Sequence, residues 1–93
     1  MLSACRAQLR LGGVTDFDDE ITDLIGAARS TMRAGGVSDD KANDDGDSRV
    51  RVAIKTYVLA NFGADNPDAE RFAASFEEQV KQMKCTEEYG GAS

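Results

Sequence analysis

Between Phe17 and Ala34 the apolar residues recur at helical intervals. Phe17, Ile21, Leu24, Ile25, Ala28 and Met32 form one stripe about 100° wide, the width a helix turns toward a core. Asp16 or Asp18 can cap its start. Acids crowd the first turns (Asp18, Asp19, Glu20, Asp23) and bases the last (Arg29, Arg33), an order that complements the helix dipole. Gly35-Gly36 terminates the pattern. A second stripe of the same kind comprises Ala69, Phe72, Ala73, Phe76, Val80 and Met83. Its start is signalled by Asn66 as cap, Pro67 at the first helical position, and Asp68 and Glu70 in the first turn. Glu77 and Lys81 add an i,i+4 pair on its outer side.

The segment between these two reads differently. After Asp47 as cap, a helix from Ser48 to Phe62 presents Val50, Ala53, Ile54, Tyr57 and Val58 on one face, with Val52 and Leu59 nearly opposite, and stops at Gly63. A helix apolar on two sides is central in its domain or packed against a neighbouring subunit. Val52 and Leu59 are therefore candidate oligomer-interface residues. A short helix, Leu2 to about Leu11, carries Leu2, Cys5 and Leu9 at helical spacing and ends at Gly12-Gly13. The alternation Arg49-Val50-Arg51-Val52 is too short for a strand, because its continuation follows the helical period. The sequence predicts an all-α bundle of about four helices: residues 1–85 as one domain and 86–93 as a flexible tail.

A chain of 93 residues supports one small core, burying about 60–65% of the surface its unfolded form exposes. Mean hydropathy is −0.44, and no apolar run approaches the roughly 18 residues of a membrane span. Met1 to Arg10 has neither the apolar core nor the cleavage site of a signal peptide, which points to a cytoplasm-like compartment. There Cys5 and Cys85 are expected as reduced thiols. The absence of histidine removes the Ser-His-Asp and Cys-His nucleophile arrangements and the commonest zinc ligand. The net charge of −6 is uneven: residues 35–47 carry −4 and residues 48–62 carry +3. That basic segment is too small to predict nucleic-acid affinity from charge.

Each candidate chemistry meets a simpler reading. With Gly46 as the sixth residue of a calcium loop, positions one and twelve would be Lys41 and Val52, neither a ligand. Residues 37–47 are expected as a solvated, flexible turn, and the Asp-Asp pairs as caps and surface charge. Ser48, preceded by Asp47, invites comparison with the modified serine of acyl carrier proteins, but Arg49, Arg51 and Lys55 make the helix that follows basic. Arg51 and Lys55 share a face, and pairing with the acidic loop or an acidic neighbour is the expected use of these bases. The tail offers Glu87, Glu88 and Tyr89 as an arm that orders against a partner. No catalytic residue, metal ligand or cofactor site is assigned.

With these residues laid out, the chain resembles the small head–tail connector proteins of tailed bacteriophages, also called adaptor, head-completion or DNA-packaging proteins. The resemblance runs over about residues 2 to 89. It lies in L-R-L-G-G leading into F-D-D-E-I-T-D-L-I-G-A-A-R, in V-A-I-K-T-Y-V-L-A-N-F-G, and in D-N-P-D-A-E-R-F-A-A-S-F-E-E. The block N-F-G-A-D-N-P-D-A-E-R-F is the most specific part, and the acidic loop Asp39–Asp47 is the departure. The resemblance implies a non-enzymatic virion component, made in the host cytoplasm and placed at the head–tail joint. It would form a ring of about twelve copies, the closed arrangement of head-to-tail contacts. Portal and stopper or tail proteins would be its partners, and DNA would pass through without sequence-specific binding. In this frame Asn61, Phe62, Gly63, Asn66 and Pro67 form a structural corner. Tyr57, Phe72 and Phe76 are core residues, and Glu70 and Arg71 join Val52 and Leu59 as interface candidates. A carrier module modified at Ser48 and a regulatory helical module that binds a protein partner are the alternatives.

Overall fold

The computed structural model describes residues 1–11, 15–62 and 66–86, and every described regular element is helical. The helices are α1 (Leu2–Gln8), α2 (Asp18–Ala34), α3 (Asp39–Ala42), α4 (Ser48–Asn61) and α5 (Ala69–Lys84). The all-α expectation holds, with one helix more than the sequence predicts. α4 is the central element, packed against α5 on one flank and α2 on the other, and α1 lies across both α2 and α4. The stripes read from the sequence supply the core: Ile21, Ile25, Ala28 and Met32 from α2, Val50, Ala53, Ile54 and Val58 from α4, and Phe76, Val80 and Met83 from α5. Tyr57 meets Phe76 edge-on, with ring centroids 5.0 Å apart.

Leu24 is partly buried against this core, and four stripe members, Phe17, Ala69, Phe72 and Ala73, fall outside it. Phe17 is 40% exposed, set against Phe62 rather than beneath α2. Ala73 is exposed and Ala69 and Phe72 half-buried, so burial of α5 begins at Phe76. Phe72 is thus not the core residue the stripe predicts.

Two helix ends show how local rules set the geometry. α2 closes with Val37 N–H donating to Met32 O at 2.9 Å and Gly36 N–H to Arg33 O at 3.1 Å, while Gly36 takes a φ of +107°. This is the Schellman arrangement, completed by burial of both Met32 and Val37. α1 closes by the same pair of bonds, Leu11 N–H to Arg6 O and Arg10 N–H to Ala7 O. There the left-handed position is held by Arg10, with φ +61°. The helix therefore stops at Gln8, ahead of the predicted Gly12-Gly13 end, which lies outside the described residues.

Candidate functional site

α4 positions the interface candidates that lie on it. Asp47 caps the helix, its Oδ1 accepting from Val50 N–H at 3.1 Å, and Ser48 opens it in an exposed position. With Val50, Ala53, Ile54 and Val58 turned into the core, Val52 points outward and is 48% exposed. Leu59, seven residues on, is half-buried. Next to this strip Thr56 is buried, donating to Val52 O at 2.7 Å and accepting from Gln79 Nε2 at 3.3 Å. The second apolar side is thus open at Val52 and partly covered at Leu59.

At the corner between α4 and α5, Asn66 bonds both helices. Its Nδ2 donates to Leu59 O, its Oδ1 accepts from Asp68 N–H at 3.0 Å, and its carbonyl accepts from Ala69 N–H at 3.2 Å. These bonds draw residues 66–69 into a turn. α5 accordingly begins at Ala69, two residues later than the Pro67 start the sequence predicts. Phe62 leaves α4 in an extended conformation (φ −79°, ψ 129°) after donating to Val58 O at 2.8 Å. Its ring lies edge-on to Phe17 at 5.4 Å. Asn61 Nδ2 returns to Tyr57 O at 2.9 Å. Pro67 is exposed on the turn, and Gly63 lies outside the described residues.

Glu70 and Arg71 are exposed on the first turn of α5. Arg71 is engaged locally: it pairs with Asp68 at 3.5 Å, and its guanidinium sits 5.1 Å from the Phe72 ring centroid. The arrangement places Arg71 beside Glu70 on α5 and Val52 with Leu59 on α4, so the four candidates belong to two helices. Glu87, Glu88 and Tyr89 lie outside the described residues.

The acidic segment departs most from its predicted form. It is a folded element rather than a solvated turn, with α3 inside it and both Val37 and Ala42 buried. Ser38 caps α3 by accepting from Lys41 N–H at 3.3 Å. Arg29 on α2 then clamps the segment, its Nη1 donating to Ala42 O at 3.0 Å and its Nη2 pairing with Asp45 at 2.8 Å. Arg51 Nη1 donates to Asp45 O at 3.2 Å, and Lys41 Nζ lies 3.9 Å from Asp44 and 3.7 Å from Asp47. Sequence reasoning assigned Arg29 to the helix dipole and missed the clamp. Its signal was an arginine among the apolar positions of α2, one residue after Ala28. Among the described residues no three of Cys, Asp and Glu converge as metal ligands.

The basic residues of α4 do not form one strip. Arg49 is exposed, whereas Arg51 and Lys55 are half-buried and flank Cys5. Burial raises the Cys5 thiol pKa above its ordinary 9.0, against the opposing pull of nearby cations that include Lys55, Arg51 and Arg29. Cys5 is a buried thiol and Cys85 an exposed one, and both are free.

What this surface offers is a framework with an open apolar position and exposed charge of both signs, suited to contact with another macromolecule. Among the described residues no helix is long and apolar enough to cross a membrane. Neither curated proteins nor solved structures yield a match. A family model described as phage connector protein matches residues 1–90, nearly the whole sequence, and the chain belongs to that family.

Proposed function

We propose that this phage connector is an adaptor subunit that assembles with copies of itself into a ring at the head–tail joint, beneath the portal. The ring extends the DNA channel and offers a docking surface to the stopper or tail. The subunit is made in the host cytoplasm and works in the virion as a structural part, without catalysis. Val52 carries this reading: a β-branched apolar residue 48% exposed on the central helix. An apolar side chain held outward on a rigid helix suits the apolar core of a subunit contact. The overall acidic excess suits a lining along which DNA slides without adhering.

Val52→Glu is the test, because Val52 is more exposed than Leu59 and its replacement leaves the core intact. Native mass spectrometry and electron microscopy, with and without a portal ring as template, read out assembly. The variant is expected to keep its helical circular dichroism and lose ring formation. Rings of undiminished yield would remove Val52 from the interface, and an unfolded variant would place it in the core.

A further inference from the structure

The C-terminal end of α2 lies against α5, with Val80 set over Gly35 and the aliphatic stem of Lys84 over Gly36. Along this junction runs a cleft of two adjoining hollows, about 230 and 210 Å³, that share Thr31, Phe76 and Glu77. Each is smaller than the roughly 300–1,000 Å³ of small-molecule sites, a size for a side chain rather than a cofactor. The hollow at the Gly35 end is walled by Phe76 and Val80 and has Lys81 and Lys84 on its lip, with Glu77 as its one acid. Both lysines are exposed, and neither is in an ion pair among the described residues. At the other end of α2 stands an apolar side chain in an acidic field. Phe17, the N-cap residue, remains exposed beyond its edge-on contact with Phe62. Asp16 precedes it, and Asp19, Glu20 and Asp23 follow in the first turns. All four acids are exposed and in no ion pair among the described residues, whereas Asp18 is engaged by Arg6 at 3.1 Å.

We propose that Phe17 of one copy seats in the Gly35–Val80 hollow of a second copy. The ring meets Phe76 and Val80, while Asp16 and Glu20 meet Lys81 and Lys84. Glu20 follows Phe17 at i+3, so it shares that side of the helix. Charge selects this occupant: the lip of the hollow offers two unpaired lysines, and the flanks of Phe17 offer unpaired acids. Distance excludes the subunit's own ring. Phe17 and Gly35 are 18 positions apart, about 27 Å along a helix at 1.5 Å per residue. Each copy therefore carries both halves of the contact on separate surfaces, as a joint repeated around a ring requires. An aromatic ring at the centre with charge at the rim is the ordinary layout of a protein contact. The rim charges set partner and register more than affinity. The contact rests on the self-assembly proposed above and adds an anchor separate from Val52 on α4.

Two variants, each missing one half of the contact, test it. Phe17→Ser removes the ring and leaves a favourable N-cap residue. Lys81→Glu with Lys84→Glu turns the lip of the hollow acidic at two exposed positions. Backbone amide NMR spectra follow the isotope-labelled Phe17→Ser chain, whose hollow is intact, as the unlabelled Lys81→Glu/Lys84→Glu chain, whose Phe17 is intact, is added. Thr31, Gly35, Val80 and Lys81 are expected to shift progressively, and the shifts to shrink as salt rises. Addition of a chain carrying all three substitutions should leave those amides in place. No shift at these amides, or equal shifts with the triple variant, would overturn the contact. Asp16→Lys with Glu20→Lys repeats the test without touching Phe17. That chain should associate with the Lys81→Glu/Lys84→Glu chain and not with itself, and failure to associate would overturn the pairing. The titrations need no portal, so they are read apart from the adaptor reading. Rings of undiminished yield from Phe17→Ser on a portal template would overturn this contact and leave that reading standing.

Discussion

At Gly35 the C-terminal end of α2 lies against Val80 of α5, and Gly35→Ala probes that approach with little else disturbed. Its backbone (φ −81°, ψ −2°) is one that alanine adopts without strain. The added Cβ, however, would lie 2.6 Å from Val80 Cγ1 and 3.3 Å from Thr31 O. Val80 is buried on α5 and β-branched, so it has essentially one helical rotamer and cannot swing aside. Overpacking of this kind costs about 1–3 kcal/mol. The loss of glycine's freedom in the unfolded chain offsets roughly 0.4–1 kcal/mol. The expected net destabilisation is about 1–2 kcal/mol, a fall in Tm of roughly 4–16 °C for a domain of this size.

Val80→Ala alone removes two methyl carbons and leaves a cavity, at a cost of about 2 kcal/mol. In the double variant the alanine methyl at position 35 fills part of that space. It should therefore be more stable than the sum of the single changes predicts, by about 1–2 kcal/mol. Urea unfolding monitored by circular dichroism gives all four free energies, and an unchanged m value confirms a common reference state. Additivity within about 0.5 kcal/mol would refute the close approach and, with it, the shape of the cleft between the two helices.

Arg29→Ala removes the clamp on the acidic segment. The bond from its guanidinium to Ala42 O is worth about 1.5–3 kcal/mol, and the Asp45 pair adds little because Asp45 is 47% exposed. Amide exchange across residues 39–47 should accelerate by 10-fold or more for each 1.4 kcal/mol lost locally; unchanged exchange would mean that α3 holds without the clamp. At Cys5 the folded thiol has the higher pKa, so the unfolded state loses its proton first. The associated stability is complete below pH 9.0 and is lost as pH rises from there through the folded value. Cys5→Ala should flatten that alkaline decline relative to the parent chain in urea titrations, and identical slopes would exclude the thiol as its source.

The bundle itself was legible from periodicity. Ile21, Ile25, Ala28 and Met32 recur at intervals that only a helix brings to one side, and the same holds for Phe76, Val80 and Met83 on α5. Caps with a local mechanism were legible too. Asp47 bonds three residues ahead, within reach of short-range rules, and the Gly35-Gly36 stop is a Schellman turn that needs φ > 0 at one residue. The first helix was misjudged because Arg10 took the left-handed position that a glycine pair just downstream advertised. The start of α5 was misjudged because Asn66 spends its side chain on a turn and on the end of α4.

By itself, then, the sequence determined helix identity, the two core stripes and a helix apolar on two sides, since each depends on neighbours within a few turns. Tertiary structure alone decided which outward residues stayed open. Val52 is exposed and Leu59 partly covered, although both occupy the same side of α4. It also decided that the acidic segment folds, because Arg29 and the buried Val37 and Ala42 lie on elements brought together only when the bundle closes. The cleft between α2 and α5 is of the same kind. No periodicity announces it, because it is made by two helices diverging from one contact at Gly35 and Val80.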